Sequence, residues 1–482
     1  MNYRAVFSIL GRVLLVEAML MVISAAVSLA YGEIATMVSF LITLFVTAIA
    51  GWLMTRLRGE RKQIYAREGF VIVALSWVLM SIAGAFPFYL TGFIPSYIDA
   101  LFETVSGFTT TGSTILTNVE GLTHGLLFWR SFTHFVGGMG VLVFVLAIIP
   151  LISTRSVHLM RAEVPGPTKG KLVPKIKSTA MILYGIYIIM TVLQIILLVA
   201  GGMPLFDSVC HAFGSAGTGG FSIKNTSIEH YQSAYLETVI GVFVILFGIN
   251  FNLYYLLLLR DFKSVFKNEE LRLYLSIILA SIILITINIS GMYGSALQSL
   301  RYAFFQVASI ITTTGYSSVN FDLWPSLSRF VLVLLMIVGA CAGSTGGGMK
   351  VSRLILLYKS VKREIKRLLH PRSVNIIEMD DKVVDENIVD GAKVFFIAYI
   401  SIMFLSILVI SSDGHDLETT STAVISCLGN IGPGLRAVGP VGNFSLFSPG
   451  STLLLTLNML LGRLEIFPVL MLFLPVTWRR KG

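Results

Sequence analysis

The stretch SIITTTGYSS, residues 309–318, decides the fold of this chain because three similar stretches occur elsewhere. They are SGFTTTGST at 106–114, FGSAGTGGFS at 213–222 and SCLGNIGPGL at 426–435. Each follows an apolar stretch of about eleven or more residues, and eleven residues make only ~16 Å of helix. The hydrocarbon core of a bilayer is about 30 Å thick, so a helix of this length cannot cross it. The pattern indicates a unit of roughly a hundred residues, repeated four times around one axis.

The composition indicates a membrane protein with many spans. The chain has 482 residues, of which 55% are hydrophobic and only 13% are charged. Apolar stretches of 18 or more residues recur, which is typical of bilayer-spanning helices. We place ten spans near 5–30, 34–55, 69–91, 125–153, 178–201, 235–259, 271–292, 328–357, 390–412 and 450–475. The first apolar stretch is longer than the core of a signal peptide and is interpreted as a retained helix.

These observations predict an all-α integral membrane protein. Four fused span–pore loop–span units surround a central pore, and two extra helices precede them. The predicted boundaries are 1–67 for the N-terminal two-helix extension, then 68–155, 156–260, 261–360 and 361–482 for pore units 1 to 4.

The charge distribution predicts the orientation in the membrane. The formal net charge of +10 could indicate nucleic-acid binding, but Lys and Arg concentrate in alternate connecting segments. Such asymmetry follows the positive-inside rule, which places both termini in the cytoplasm and argues against nucleic acid as a partner. The outer segments hold eleven carboxylates, which predict an acidic mouth that attracts cations: Glu33, Asp99, Glu103, Glu120, Asp207, Glu229, Glu237, Asp322, Asp413, Asp416 and Glu418.

No pattern typical of an enzyme is present in the sequence. The three cysteines are isolated, and the histidines show no HxxH or HxxxH pair that would indicate a metal site. The stretch GSTGGGMK resembles a nucleotide-binding loop, but Met349 spoils the spacing and the stretch follows a membrane span. We therefore expect no enzymatic activity and no organic cofactor.

The four Gly/Thr turns suit an ion pathway. Non-helical backbone at membrane depth is tolerated only where protein buries it or water lines it. Four converging turns would present carbonyl oxygens that can replace the hydration shell of a cation. The half-length helices would also direct their negative C-terminal ends toward the axis. The alternative is that Gly, Ser and Thr merely allow close packing of helices.

The whole pattern resembles the TrkH/KtrB/HKT superfamily of potassium-uptake proteins. Further motifs carry the resemblance, and the extra N-terminal helix pair is similar to the TrkH branch: FVGGMGVLVFVLAIIP at 135–150, RAEVPGP at 161–167, GACAGSTGGGMK at 339–350 and NMLLGRLEIFP at 458–468. The resemblance implies a potassium filter built from main-chain carbonyls of Thr109, Thr110, Thr111, Gly112, Ala216, Gly217, Thr218, Gly219, Thr312, Thr313, Thr314, Gly315, Gly429, Asn430, Ile431 and Gly432. By the same resemblance, the filter glycines, aligned as Gly112, Gly219, Gly315 and Gly432, imply a preference for potassium over sodium. The four quadrants differ in sequence, which puts a sharp selectivity in doubt.

A glycine-rich break at 339–350 interrupts the eighth predicted span. Five glycines within ten residues would each cost about 1 kcal/mol in a helix interior, so a continuous helix is not expected. The resemblance implies an intramembrane loop that obstructs the pore and moves during gating; the alternative is a packing kink. The predicted gate residues are Gly339, Gly343, Ser344, Thr345, Gly346, Gly347, Gly348, Lys350 and Arg463.

Arg463 lies near the middle of the last predicted span, where a charge costs about 2.5–3.5 kcal/mol on insertion scales. Glu465 is two residues away, on a different face of a helix, and is a poor partner for it. We expect Arg463 to turn toward the pore and to contact loop carbonyls. The alternative is an ion pair with a carboxylate elsewhere.

The leading hypothesis is potassium translocation across a bacterial inner membrane. The resemblance implies regulation by TrkA, a cytosolic ring of nucleotide-binding domains, and pairing as a homodimer; the basic-to-acidic segment 359–390 is the candidate docking surface. The alternative is a potassium symporter coupled to protons or sodium. Coupling needs ionisable groups inside the membrane, and the spans offer few apart from Glu17, Arg463 and Glu465.

Overall fold

The computed structural model of the protein describes residues 1–57, 66–148, 176–373 and 375–479. The chain begins with a pair of antiparallel helices, α1 (Tyr3–Ala30) and α2 (Ile34–Arg56). They pack closely at Gly11 and Gly51, where a Cβ on either residue would lie within 2.7 Å of the other residue's carbonyl oxygen. This pair is the predicted N-terminal extension. The motif at 161–167 and the end of the one at 135–150 lie outside the described residues.

Four similar sets of helices follow, each with a first helix, a half-length helix and a second helix. The first set is α3 (Ala66–Leu90), α4 (Tyr97–Phe108) and α5 (His124–Ile148). The second is α6 (Ile176–Ala200), α7 (Leu205–Gly217), α8 (Ala234–Phe247) and α9 (Phe251–Leu258). A short connecting helix, α10 (Phe262–Lys267), precedes the third. The third is α11 (Glu269–Ile289), α12 (Ala296–Ile311), α13 (Ser326–Val338) and α14 (Val351–Leu369).

The fourth set follows a small antiparallel hairpin, β1 (Glu378–Met379) and β2 (Lys382–Val383), in which Glu378 pairs with Val383. It comprises α15 (Glu386–Ile410), α16 (Leu417–Gly429), α17 (Pro449–Arg463), α18 (Phe467–Phe473) and α19 (Pro475–Trp478). The predicted all-α fold with four fused units and an extra N-terminal pair is confirmed.

The half-length helices α4, α7, α12 and α16 have 12 to 16 residues. At 1.5 Å per residue they are shorter than the hydrocarbon core of a bilayer. Three of them begin at side-chain caps: the Oγ of Ser96, the Oγ of Ser295 and a carboxylate oxygen of Asp416 each accept a backbone N–H of the first turn. Their C-terminal ends are buried in the centre of the molecule.

All four second helices are broken. In α5 the break is at Gly140 (φ 52°, ψ −172°), and α8 and α9 meet at a bend of 89°. The loop 339–350 separates α13 from α14, and three residues with Glu465 and Ile466 at positive φ separate α17 from α18. The predicted interruption at 339–350 is therefore present, but it is one of four. In the described ranges, the six unbroken helices that are long and apolar enough to cross a bilayer are α1, α2, α3, α6, α11 and α15. The other four predicted spans hold the broken second helices.

Candidate ion pathway

The four half-length helices end in the same type of turn. In each, the N–H of one residue donates to the carbonyl five residues earlier, and the preceding N–H donates to the carbonyl three residues earlier. These two bonds define the Schellman motif, which satisfies the last carbonyls of a helix. The longer bonds measure 2.8–3.0 Å and join Thr111 to Ser106, Gly219 to Gly214, Thr314 to Ser309, and Ile431 to Ser426.

The residue in the left-handed conformation of each turn is not glycine. Thr110, Thr218, Thr313 and Asn430 have φ values of 53°, 54°, 59° and 54°. Glycine usually occupies this position, and a β-branched residue there is an outlier. Such backbone strain costs of order 1–3 kcal/mol per residue and persists only where the surroundings enforce it. The same strained position occurs in all four units.

The hydrogen bonds correct the sequence alignment of the second unit by one residue. Two residues after each left-handed position lies a glycine at positive φ: Gly112 (81°), Gly220 (76°), Gly315 (83°) and Gly432 (107°). The equivalent of Gly112 is therefore Gly220, and the predicted stretch 216–219 shifts to 217–220. Ala216 lies within the last turn of α7. A signal for the correct alignment is in the sequence, because Gly220-Phe221-Ser222 matches Gly315-Tyr316-Ser317.

The four turns, residues 109–112, 217–220, 312–315 and 429–432, form a closed ring, called the turn ring below. A Cβ on the glycine of one turn would meet a carbonyl oxygen of the next turn along the chain, and the fourth returns to the first. The contacts are Gly112 to Gly219, Gly220 to Thr314, Gly315 to Ile431, and Gly432 to Thr111. A cavity of about 80 Å³ is lined by all four of these glycines. The four units therefore surround a common axis, with the backbone of the turns around it.

Four threonine hydroxyls bond in pairs within the first and third turns. The Oγ1 atoms of Thr109 and Thr111 lie 2.8 Å apart, and those of Thr312 and Thr314 lie 2.7 Å apart. Asn430 replaces this pairing in the fourth unit, where its Nδ2 donates to the Oγ1 of Thr111 and to the carbonyl of Met459, both at 2.9 Å. The side chains thus brace the turns, and the backbone carbonyls face the neighbouring units.

The acidic mouth predicted for the outer segments remains a prediction, and the cavity lining differs from it. Of the described residues that line it, two are basic, Arg130 and Lys224, and none is among the eleven outer carboxylates. Three of those carboxylates hold arginines instead: Glu103 bonds Arg130 at 2.5 Å, Glu237 bonds Arg301 at 2.5 Å, and Glu418 bonds Arg329 at 2.7 Å. Their charge is neutralised locally, so they support the structure around the cavity.

Arg130 and His134 on α5 are site residues that the sequence analysis missed. Arg130 is buried, donates to the carbonyl of Ser222 at 2.7 Å and lies 3.5 Å from the ring centroid of Phe221. His134 bonds the carbonyl of Gly107 through Nδ1 (2.9 Å) and accepts the N–H of Phe221 at Nε2 (3.2 Å). Since a carbonyl only accepts and an N–H only donates, this histidine is neutral with its proton on Nδ1. The available signal was an intramembrane Arg and His four residues apart, on one helix face.

The glycine-rich loop, residues 339–350, packs against the turn ring. The N–H of Gly347 donates to the Oγ1 of Thr313 at 2.6 Å, and the Nζ of Lys350 donates to the carbonyl of Gly346. A Cβ on Gly346 or Gly347 would lie 2.9 Å from the carbonyl oxygen of Thr312 or 2.5 Å from that of Gly429. The loop therefore contacts Thr312, Thr313 and Gly429, which do not line the cavity. The loop and the cavity thus lie at different levels of the ring.

Glu270, at the start of α11, anchors both ends of this loop and was also missed. It is 4% exposed, and its Oε1 accepts the N–H of Ala342 at 2.7 Å and of Ser352 at 2.9 Å. The loop also reaches the break in the second unit, because the N–H of Cys341 donates to the carbonyl of Gly248 at 3.1 Å. Sequence signals for these contacts are weak, because they depend on residues 70 or more positions apart.

Arg463 contacts one carbonyl of the glycine-rich loop, as expected from the sequence, and two carbonyls of α5. Its Nη1 donates to the carbonyl of Thr345 at 2.8 Å, and its Nη2 donates to those of Gly137 and Gly138 at 2.6 and 3.1 Å. Glu465 pairs with Arg353 instead. Arg463 is the last residue of α17, while Gly137 and Gly138 lie just before the break in α5. The guanidinium therefore joins the breaks of units 1, 3 and 4 at one level.

The remaining sequence-predicted gate residues lie in the same loop. Gly339, Gly343 and Gly348 have φ values of 72–75°, a conformation that favours glycine. The Oγ of Ser344 donates to the carbonyl of Cys341 at 2.6 Å. In the described part of the chain, no group of three or more His, Cys, Asp or Glu could hold a metal ion.

Comparison with known proteins agrees with this architecture. Residues 35–478 match the TrkH family, described as cation transport proteins. The chain is 37% identical to the Trk system potassium uptake protein TrkH of Salmonella typhimurium, over 99% of this chain and 100% of that protein. It is 34% identical to TrkG of Escherichia coli, over 99% of both chains.

A solved structure is also similar. The crystal structure of the potassium transporter TrkH from Vibrio parahaemolyticus matches with a TM-score of 0.89 and 32% identity, over 99% of this chain and 100% of that one. The family consists of membrane transporters and not of enzymes. The family match over most of the sequence, the full-length relatives and the shared four-unit fold lead to one conclusion: the chain belongs to the TrkH family of cation transport proteins.

Proposed function

We propose that this chain conducts potassium ions across the inner membrane of a bacterium, through the turn ring. The observation that carries the proposal is the cyclic contact of the four turns, in which each glycine abuts a carbonyl oxygen of the next unit. Carbonyl oxygens gathered around one axis can replace the hydration shell of a potassium ion. The four half-length helices end at this ring, and their C-terminal ends favour a cation there. The related transporters are named for potassium uptake.

The proposed filter comprises residues 109–112, 217–220, 312–315 and 429–432. All four ring glycines are retained, which favours potassium over sodium by resemblance to the family. The segments 1–67, 68–155, 156–260, 261–360 and 361–482 are proposed as the extension and the four pore units. Both termini are proposed to be cytoplasmic, because Lys and Arg concentrate on that side.

The proposed gate is the glycine-rich loop together with Arg463. The loop bonds the turn ring through Gly347, and Arg463 holds the carbonyl of Thr345. Opening then requires the loop to leave the axis and this hydrogen bond to break. Glycines at positive φ permit such a rearrangement without side-chain clashes.

We also propose a cytosolic TrkA-like ring of nucleotide-binding domains as regulator and a homodimer as the assembly. The segment 359–390 is the proposed docking surface. It includes the end of α14, where Lys362, Lys366 and Arg367 accompany the exposed Leu368 and Leu369. Because α14 begins where the loop ends, a partner that moves this helix would act directly on the gate.

Reconstitution into liposomes tests the function. Purified protein in potassium-loaded vesicles should show potassium flux that exceeds sodium flux. The absence of any monovalent-cation flux would reject the proposal. Gly112→Ser should loosen selectivity, because the added atoms meet the carbonyl oxygen of Gly219. Gly185→Ala, on α6 with no atom within 4 Å of the new Cβ, is the matched control.

A coupled symporter is the second candidate, because one carboxylate inside the membrane, Glu17, is buried without a hydrogen-bond partner in the described chain. Carriers use such groups for ion coupling. Reversal potentials measured at varied pH and sodium discriminate between the two: a channel gives the potassium equilibrium potential at every pH, while a symporter gives a potential that moves with the coupling ion.

A further inference from the structure

Glu17, in the middle of α1, is a buried carboxylate that the ion pathway does not use. Its side chain is 1% exposed, and neither of its oxygens has a hydrogen-bond partner among the described residues. An isolated ionised carboxylate is so costly to bury that such a group takes up a proton instead. The position therefore requires a chemical explanation that helix packing alone does not supply.

Its contacts lead toward the first pore unit. Glu17 faces Gly84 on α3, since a Cβ on Gly84 would lie 3.3 Å from Oε1 of Glu17. The same Cβ would lie 2.9 Å from Thr104 and 3.0 Å from Phe108, which belong to the half-length helix α4. Phe108 is the last residue before the first turn of the ring. The carboxyl thus lies where the N-terminal helix pair meets the pore unit.

Further polar atoms without hydrogen-bond partners in the described ranges lie on the same two helices. Ser24 follows Glu17 by seven residues on α1, and Ser76, Trp77 and Ser81 lie on α3. Trp77, Ser81 and Gly84 are spaced by four and three residues, so they share one face of α3. Glu17 and these residues of α1 and α3 are together called the polar seam below.

Trp77 connects this seam to the proposed gate. The guanidinium carbon of Arg463 lies 5.9 Å from the centroid of the Trp77 ring, within the range of a cation–π contact. A Cβ on Gly140, at the break of α5, would lie 3.5 Å from the same ring. One face of α3 thus contacts Glu17 at one level and Arg463 at another.

The charged and titratable groups of the surrounding helices are occupied or distant. On α1, Arg12 is five residues from Glu17 and projects from a different face. On α2 the only charged residue, Arg56, is its last. The charged and titratable residues of α3, α4 and α5 are Arg67, Glu68, Tyr89, Tyr97, Asp99, Glu103, His124, Arg130 and His134. Glu103 bonds Arg130, His124 bonds Glu33, and His134 bonds Gly107. Arg67 and Glu68 lie at the far end of α3 from Gly84.

We propose that Glu17 is a proton-binding site that couples pH to the gate through Trp77 and Arg463. In the protonated form the carboxyl is neutral and the seam is closed. Loss of the proton at alkaline pH leaves a bare charge in the membrane, which draws water into the seam and loosens Trp77 from Arg463. Ion flux therefore rises on deprotonation. The regulatory half of this proposal rests on the proposed gate, whereas proton binding does not.

Infrared spectroscopy of the full-length protein in lipid tests proton binding without any transport. A protonated carboxyl in an apolar site gives a carbonyl stretching band distinct from that of carboxylates, and Glu17→Gln should remove a band of this kind near neutral pH. Glu33→Gln is the matched control, because Glu33 lies between the two helices of the same pair but accepts the N–H groups of His124 and Gly125. A spectrum that Glu17→Gln leaves unchanged would overturn the proposal.

Potassium flux into liposomes between about pH 6 and pH 9 tests the coupling, since a perturbed carboxyl can titrate in this range. Wild-type flux should rise about fivefold or more toward alkaline pH, a usual magnitude for coupling between two sites. In Glu17→Gln this rise should be lost. Trp77→Phe should weaken the rise but keep the infrared band.

The reversal potential should stay constant with pH in all variants, because the proton regulates and is not carried. A Glu17→Gln protein that keeps the wild-type pH response contradicts the coupling. If no variant and no wild-type protein conducts ions, the proposed function fails, while the infrared result still decides proton binding.

Discussion

At the scale of single residues, the ring glycines are positions where one added carbon atom has a defined consequence. Gly220 has a φ of 76°, and a Cβ there would collide with the carbonyl oxygen of Thr314. We expect Gly220→Ala to lower the free energy of unfolding by about 1–3 kcal/mol through backbone strain and to reduce potassium selectivity. Thermal unfolding in detergent and liposome flux measure the two effects.

Gly185→Ala is the control for this prediction. Gly185 lies on α6, with open space around its Cα, so alanine should stabilise the helix by up to about 1 kcal/mol. If Gly220→Ala behaves like this control, the closed contact between the second and third turns does not exist in the working protein.

Arg463 is a second residue whose substitution should have a defined effect on ion flux. Its guanidinium holds carbonyls of two different units, and hydrogen bonds to a charged group contribute about 1.5–3 kcal/mol. Arg463→Gln should therefore raise the open fraction of the pore, and with it the potassium flux, on the order of tenfold. Arg436→Gln, at an exposed arginine that pairs with Glu418, should leave the flux unchanged. A lower flux in Arg463→Gln would contradict the role of Arg463 in holding the gate closed.

At the scale of helices, the anchoring of the glycine-rich loop by Glu270 is testable. Glu270→Ala leaves the buried N–H groups of Ala342 and Ser352 without this acceptor, at about 1–3 kcal/mol each. Glu270→Gln keeps an oxygen in place and should lose only the charge assistance, about 1 kcal/mol. Hydrogen exchange of residues 339–352 should accelerate much more in the alanine variant.

Glu364→Ala is the control, since Glu364 lies on α14, the helix that follows the loop and contains Ser352, and its side chain is half-exposed. Exchange in the loop should stay at the wild-type rate in this variant. Equal acceleration in Glu364→Ala and Glu270→Ala would show that α14 as a whole, and not the Glu270 anchor, determines the mobility of the loop.

The broken second helices show that hydropathy can predict one continuous span where the structure has an interrupted helix. The break at 339–350 is visible in the sequence because it holds five glycines. The break after Arg463 comprises only three residues, and the one in α5 is a single residue, Gly140. So short an interruption does not change the mean hydropathy of a span-length window, and only the contacts around it reveal its position.

At the scale of the whole molecule, ion pairs connect neighbouring units. Glu237 on α8 of the second unit bonds Arg301 on α12 of the third, and the glutamate is almost fully buried. Arg301→Gln should lower the free energy of unfolding by about 3 kcal/mol, because it leaves the buried charge of Glu237 without its partner. The double variant with Glu237→Gln should recover part of this loss, with a coupling energy above about 1 kcal/mol.

The exposed pair Lys267–Asp381 is the comparison for this double-mutant cycle. Its side chains are 62% and 88% exposed and the charged atoms lie 3.6 Å apart, so its coupling should be near zero, within about 0.5 kcal/mol. Equal coupling in the two pairs would mean that the Glu237–Arg301 pair does not contribute to the assembly of the units.

Much of the candidate site could be predicted from local sequence. The half-length helices, the Gly/Thr turns, the glycine-rich loop and the unusual position of Arg463 are all patterns of a few consecutive residues. For the alignment of the second turn, the sequence offers only the match of residues 220–222 to 315–317, because Gly219 and Gly220 are adjacent and equally permissive. The hydrogen bond from Gly219 to Gly214 decides between them.

The sequence by itself determined the fold class, the four-fold repetition and the approximate positions of the turns along the chain, because hydropathy, helix length and glycine content are properties of short segments. Only the tertiary structure decided which carboxylates pair with arginine, where three of the second helices break and that Glu17 has no hydrogen-bond partner in the described chain. Those outcomes depend on burial and on hydrogen bonds between residues from 27 to more than 300 positions apart. At such separations the geometry of packed helices, and not the local pattern, selects the partner of each polar group.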